Sequence, residues 1–350
     1  MWMVRLTALR IFQLPPFEDL LVPFSDEQGN PRPVTVIYGG GGVGKTTLLN
    51  ALALTRPGHT IALPTVTGDS PPFVVCDWTL GTDDSERPHP LRVATPMARI
   101  DGDELREAFR RKEQALFDKL ARQGGFAFLA VSSTRWFSRQ PIGFSAPERT
   151  IARYDVRAVT ALDDASRSDL ARETKQALAY ADVTAALGRR SASELDFGLL
   201  SDAMHTAVNA LVGLAGFRYE GLETSSLEPI FRNEEREMVH FDALPTRARH
   251  LVAFAALTIR MLWGAYPGRN PLTEAEGVVA IDEVDLHQGT AIQSVLVSAL
   301  RTALPRVQWI LTTTSPVVAT SCEDGEVFAL RRLPHTSAVE LFSGLEARVH

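Results

Sequence analysis

Val34-Thr35-Val36-Ile37-Tyr38-Gly39-Gly40-Gly41-Gly42-Val43-Gly44-Lys45-Thr46-Thr47-Leu48-Leu49 is the stretch whose reading decides the fold. Its first part is short, apolar and β-branched, as a buried strand requires. The spacing of Leu48, Leu49 and Leu52 predicts a helix directly after the glycines. Residues 39–46 fit G-x-x-x-x-G-K-[ST] in full. Glycines let successive backbone N–H groups curl around phosphate oxygens, and the helix N-terminus adds partial positive charge. Lys45 can reach β- and γ-phosphates, and Thr46 can ligate Mg²⁺. The expected binding set is therefore Gly39, Gly40, Gly41, Gly42, Val43, Gly44, Lys45, Thr46 and Thr47, with a nucleoside triphosphate as ligand.

A second motif lies far downstream. Val278-Val279-Ala280-Ile281-Asp282-Glu283 is an apolar strand ending in two carboxylates. Beside a complete phosphate loop, Asp282 is expected to help hold Mg²⁺ with Thr46, and Glu283 to polarise an attacking water, with Lys45 as the third catalytic group.

The rest of the chain supplies the frame. Residues 3–12 and 20–24 alternate like an antiparallel ribbon around Pro15–Pro16, with further strands at 73–80 and 91–94. From Asp101, Leu105, Phe109, Leu116 and Leu120 share a helical face, and the other faces carry Arg106, Arg110, Arg111, Lys112, Lys119 and Arg122. A buried strand is expected near 126–131 and mostly helix between 162 and 212. Helix and strand then alternate: helix 251–263, strand 277–281, helix 290–304, strands 307–312 and 327–330. This rhythm predicts an α/β fold with a largely parallel sheet. The expected division is an N-terminal lobe over 1–100, a largely helical insertion over 101–240 and a C-terminal lobe over 241–350.

Bulk properties narrow the classes. At 350 residues and 45% hydrophobic, the chain can bury a sizeable core without staples. A formal net charge of -6 provides no global basic field, so any DNA contact would be a local patch. Cys76 and Cys322 lie far apart without metal spacing and are expected to be structural thiols in a cytoplasmic protein. No apolar run reaches the ~18 residues of a membrane span, and Arg260 stops the nearest candidate. His205, His250 and His335 are expected to be surface or packing residues, because no second ligand stands at metal spacing.

The run Ile281-Asp-Glu-Val-Asp-Leu-His287, the helix over 290–304 and the run Trp309-Ile-Leu-Thr-Thr-Thr-Ser-Pro316 resemble the C-terminal lobe of ABC-type, RecF-like and OLD-like AAA ATPases of bacteria. With the phosphate loop, the resemblance covers nearly the whole chain. It implies an ABC-ATPase-like head, ATP and Mg²⁺ as ligands, and ATP sandwiched between two protomers of a homodimer or higher homo-oligomer. Three places depart from the family pattern. Leu244-Pro245-Thr246-Arg247 stands where the family has Leu-Ser-x-Gly; Thr246 is either a replacement hydroxyl or an ordinary helix N-cap. Thr314 replaces the switch histidine, keeping a hydrogen-bonding hydroxyl near the nucleotide without a positive charge, which implies slow turnover. Gln288-Gly289-Thr290 replaces the usual Leu-His-Pro. Phe12 and Phe17 are either core aromatics or base-stacking residues, and Gln140 is a candidate for the family's glutamine loop.

The expected function is slow ATP hydrolysis that regulates a separately encoded effector, in genome maintenance or phage defence, since no nuclease segment is recognisable. Two alternatives stand beside it: an ATP-gated clamp on DNA using the basic face of 106–122, and a nucleotide sensor with little turnover. No membrane partner is expected.

Overall fold

The computed structural model describes residues 5–55, 72–79, 91–94, 125–139, 169–188, 195–336 and 338–348, with positions 115 and 142. The basic helix expected from Asp101 and the candidate Gln140 lie outside them.

Alternation of apolar and polar residues makes the N-terminal segment a two-sided ribbon. Strand β1 (Arg5–Leu14) pairs antiparallel with β2 (Phe17–Pro23) on one edge and with β4 (Phe73–Thr79) on the other. Strand β5 (Leu91–Ala94) completes a four-stranded sheet of order β2-β1-β4-β5. Its inward side chains, among them Leu6, Leu9, Ile11, Val74, Cys76 and Trp78, are buried.

The central sheet contains the strands that read as continuous apolar runs. Its order is β13-β12-β3-β11-β10-β6. The members are β3 (Val34–Tyr38), β6 (Phe128–Val131), β10 (Gly277–Ile281), β11 (Val307–Thr313), β12 (Val327–Arg332) and β13 (Val339–Ser343). All neighbours are parallel except β12 and β13. Successive side chains point to opposite faces. Val34, Val36, Val279, Ile281, Trp309 and Leu311 therefore enter one core, while Ile37, Val278, Ala280, Ile310 and Phe328 enter the other. The second core also receives the antiparallel sheet and helix α1 (Lys45–Leu54). Gln308, fully buried, joins the two sheets: Leu6 N donates to its Oε1 at 2.8 Å and its Nε2 donates to Leu6 O at 2.9 Å.

Helices cover the other face. They are α2 (Ala171–Gly188), α3 (Phe197–Val212), α4 (Thr246–Ala265) and α5 (Thr290–Ala303), followed by the short α6 (Pro316–Ser321) and α7 (Leu345–Arg348). Residues 250–259 of α4 are all buried, so this helix is central and has no wet face. That explains its apolar run: among the described residues no helix is long and apolar enough to cross a membrane.

One feature was not expected. Residues 217–240, assigned on sequence to a helical insertion, form a three-stranded antiparallel sheet of β7 (Phe217–Leu222), β8 (Pro229–Asn233) and β9 (Met238–His240). It is fastened to the helices by buried polar groups. Lys175 of α2 pairs with Glu228 at 3.0 Å and Asp242 at 2.8 Å, and Tyr219 Oη donates to Asp182 at 2.7 Å.

Candidate functional site

At the C-terminal end of β3 the chain enters the glycine loop and emerges as α1. Gly44 has φ +94°, and a Cβ there would lie 2.6 Å from Phe17 Cζ and 2.7 Å from Pro16 Cγ. The β1–β2 turn thus packs on the base of the loop, and only glycine fits. Gly42, at φ +75° with open space around it, is constrained by backbone conformation alone. Gly40, Gly41 and Gly42 are exposed, and no acidic side chain in the first turn of α1 offsets its positive end. Lys45 is buried and folds back over the loop, donating to Gly39 O at 2.8 Å and Gly40 O at 2.9 Å. Burial lowers the affinity of its amine for a proton, opposed by the charges of Glu283, Asp282 and Asp285.

Strand β11 separates β3 from β10, and its last residues bridge their ends. Thr46 Oγ1 donates to Asp282 Oδ2 at 2.7 Å, across 236 residues of sequence. Thr312 Oγ1 donates to Asp282 Oδ1 at 2.6 Å and accepts from Glu283 N at 2.8 Å. Asp282 is fully buried, so both oxygens of its carboxylate are satisfied from within the chain. Next along β11, Thr313 Oγ1 donates to Asp285 and accepts from Ser315 N at 2.9 Å. The loop and the acid pair expected from sequence therefore lie together at one end of the sheet. Thr312 and Thr313 belong to the same cluster, although the family pattern singles out Thr314.

The donor set suits a hard cation. Thr46 gives its one proton to Asp282, which leaves its oxygen lone pairs for a ligand. Mg²⁺ takes oxygen ligands and keeps several waters, using one or two protein groups plus phosphate oxygens. The described residues contain no cluster of three or more His, Cys, Asp or Glu, so no all-protein cage competes with that arrangement.

A further residue that the sequence did not mark lies behind the acids. Arg135, after β6, is buried; its Nη1 donates to Ser132 O at 2.9 Å and Asp282 O at 2.6 Å, and its Nη2 to Glu283 O at 2.7 Å. Burial pushes its pKa down to about 10 against the attraction of Asp282, Glu283 and Asp285. Its guanidinium lies 5.2 Å from the centre of the Phe254 ring. Nearby, His250 is fully buried, with Nδ1 2.8 Å from Thr246 O, so Nδ1 carries the proton of the neutral ring. Desolvation first, then the charge of Arg135, pushes its pKa down to about 3. It packs edge-on to Phe137 at 5.0 Å, in keeping with the expected packing role.

The rim is different. Thr314, Arg247 and His287 are exposed, and Thr46, Thr47 and Glu283 are partly so. Helix α4 has Pro245 at its N-cap position without a side-chain cap; Thr246 is the first helical residue, not the N-cap. Gln288 is buried and ties this segment to the acid loop, donating from Nε2 to Arg247 O at 3.2 Å. Of the aromatic candidates, Phe17 is buried beneath the glycine loop, and Phe12 stacks on Phe73 at 4.7 Å. Phe17 is thus a core residue and not a base platform.

Comparison with solved structures places the fold. The chain is similar to an Smc head domain with an extended coiled coil, bound to the C-terminal domain of ScpA and derived from Pyrococcus furiosus: TM-score 0.53, 14% identity, 98% of this chain and 97% of that one. It is also similar to an SmcHead bound to the C-winged helix domain of ScpA: TM-score 0.51, 12% identity, 98% of each chain. The chain therefore has the fold of an Smc head domain. In sequence it is 42% identical over 57 residues to the Septu protein PtuA of Bacillus mycoides (strain KBAB4), a match spanning 16% of this chain and 8% of that protein. No family model matches the chain.

Proposed function

We propose that the chain is a Mg²⁺-dependent ATPase whose nucleotide state regulates a separately encoded effector in phage defence. The observation that carries this reading is the Thr46–Asp282 hydrogen bond, which joins the glycine loop to the acidic strand at 2.7 Å. Exposed amides of residues 40–42 and the N-terminus of α1 would receive the phosphates. Lys45 would exchange its two loop carbonyls for β- and γ-phosphate oxygens, a charge-assisted and stronger contact. Thr46 and Asp282 would hold Mg²⁺, which when bound neutralises charge on the phosphate oxygens. Glu283, with its backbone N–H fixed by Thr312, would accept a proton from the attacking water.

The likeness to Smc heads supports ATP as the nucleotide and a sandwich between two copies of the chain. The PtuA match favours phage defence as the setting, and the Smc heads bound to ScpA domains support a protein partner. A nucleotide sensor with little turnover is the second reading, favoured by one observation: Thr314, the residue directly after β11, is exposed and cannot carry charge. Turnover of Glu283→Gln tests the first reading. Nucleotide affinity within about threefold of wild type and hydrolysis reduced about a hundredfold or more are expected; unchanged hydrolysis would remove Glu283 from its role.

A further inference from the structure

We propose that Arg135 is a positioning residue that fixes the backbone from which Glu283 acts, an inference that rests on the catalytic reading of Glu283 above. Strand β10 ends at Ile281, and the chain then turns with Glu283 at φ +46°. Residues other than glycine rarely adopt that conformation, and it persists only where the surroundings hold it. Two bonds to Thr312 and two from Arg135 hold it here. Thr312 Oγ1 accepts from Glu283 N at 2.8 Å, and Val284 N donates to Thr312 O at 2.9 Å. The carbonyls of Asp282 and Glu283 both accept from Arg135, at 2.6 and 2.7 Å, and that of Glu283 also accepts from Leu286 N at 3.0 Å.

A guanidinium is suited to this place because its donors form a rigid planar fork; a lysine ammonium is a single point. The third contact, to Ser132 O at 2.9 Å, ties the fork to the segment leaving β6. That segment is itself bonded to the acidic strand, since Asp282 N donates to Val131 O at 2.9 Å. The Phe254 ring of α4 lies under the guanidinium. Every hydrogen bond that Arg135 makes goes to a carbonyl, so its charge attracts Asp282, Glu283 and Asp285 while their carboxylate oxygens stay free for water, metal or threonine. Arg135 thus acts from behind the site, through Glu283, and does not touch the nucleotide.

The test compares Arg135→Lys, Phe254→Leu and Glu283→Gln with wild type, reading kcat, KM, nucleotide affinity by calorimetry and melting temperature. Arg135→Lys keeps the charge and loses the fork. Its kcat is expected to fall between about tenfold and a hundredfold, the effect of a small misplacement of a catalytic group, with KM and nucleotide affinity within about twofold. Phe254→Leu retains Arg135 and loosens its support, so a smaller fall in kcat, about threefold, is expected at unchanged KM. The proposal is overturned if Glu283→Gln is inactive while both other variants turn over like wild type. It is equally overturned if affinity and kcat fall together with the melting temperature, the pattern of a merely structural arginine. Should Glu283→Gln itself hydrolyse normally, the underlying catalytic reading fails and this proposal with it.

Discussion

Asp282 and Thr314 lie near the same end of the central sheet, yet they occupy opposite environments. Asp282 is fully buried, with one carboxylate oxygen accepting from Thr46 and the other from Thr312, and its own backbone is held by Val131 and Arg135. Thr314 is exposed, as are Arg247 and His287 on the same rim. Around Asp282 the carboxylate oxygens and the backbone have partners supplied by the chain, so a change there must disturb both folding and chemistry. On the rim, the chain itself fixes little, and the residues answer to whatever binds against them.

That contrast can be broken most severely at Lys45. Lys45→Ala removes the one buried cation of the loop, and nucleotide affinity is expected to fall roughly ten- to a hundredfold in a calorimetric titration, the loss of a charge-assisted donor. Thr312→Val is next. It preserves shape but strips Asp282 of a donor and Glu283 N of its acceptor; a loss of about 1–3 kcal/mol in urea unfolding is expected, since buried groups are left unsatisfied, with turnover reduced about tenfold.

His250 tests the interior by pH. Its pKa in the folded chain, about 3, lies below the ordinary 6.5, so the unfolded chain takes up the proton first as pH falls. Stability from this residue is complete above 6.5 and is lost toward 3, at up to about 1.4 kcal/mol per pH unit. The urea midpoint of wild type should therefore fall more steeply between those pH values than that of His250→Gln; parallel slopes would mean that the imidazole is not held neutral. The smallest effect belongs to the rim. Thr314→His should leave the melting temperature unchanged and raise turnover roughly three- to tenfold by placing a chargeable group beside the nucleotide. A large loss of stability in that variant would erase the contrast between rim and interior.

Much of the interior was legible in sequence, because its chemistry is carried by contiguous motifs. The run from Val34 to Thr46 and the run from Val278 to Glu283 announce strand, loop and acids without any tertiary information. Arg135 was not legible: an arginine before Trp136 and Phe137 reads as a surface loop, and only the fold shows that its fork meets the carbonyls of Asp282 and Glu283. Thr312 and Thr313 were hidden among identical neighbours, and Thr314 drew attention through its family position although it is the threonine without a buried bond. The β7–β9 sheet escaped because its strands are short, with only three residues in β9, and because the polar turns between them, 223–228 and 234–237, interrupt period-two alternation.

The claim on which the account turns is that two segments far apart in the chain make one metal-dependent nucleotide site. Calorimetric titration of ATP into wild type and Asp282→Asn, each with and without Mg²⁺, tests it most directly. Mg²⁺ is expected to strengthen binding to wild type and to have little effect on Asp282→Asn. Wild-type affinity indifferent to Mg²⁺, or an undiminished Mg²⁺ effect in the variant, would contradict it.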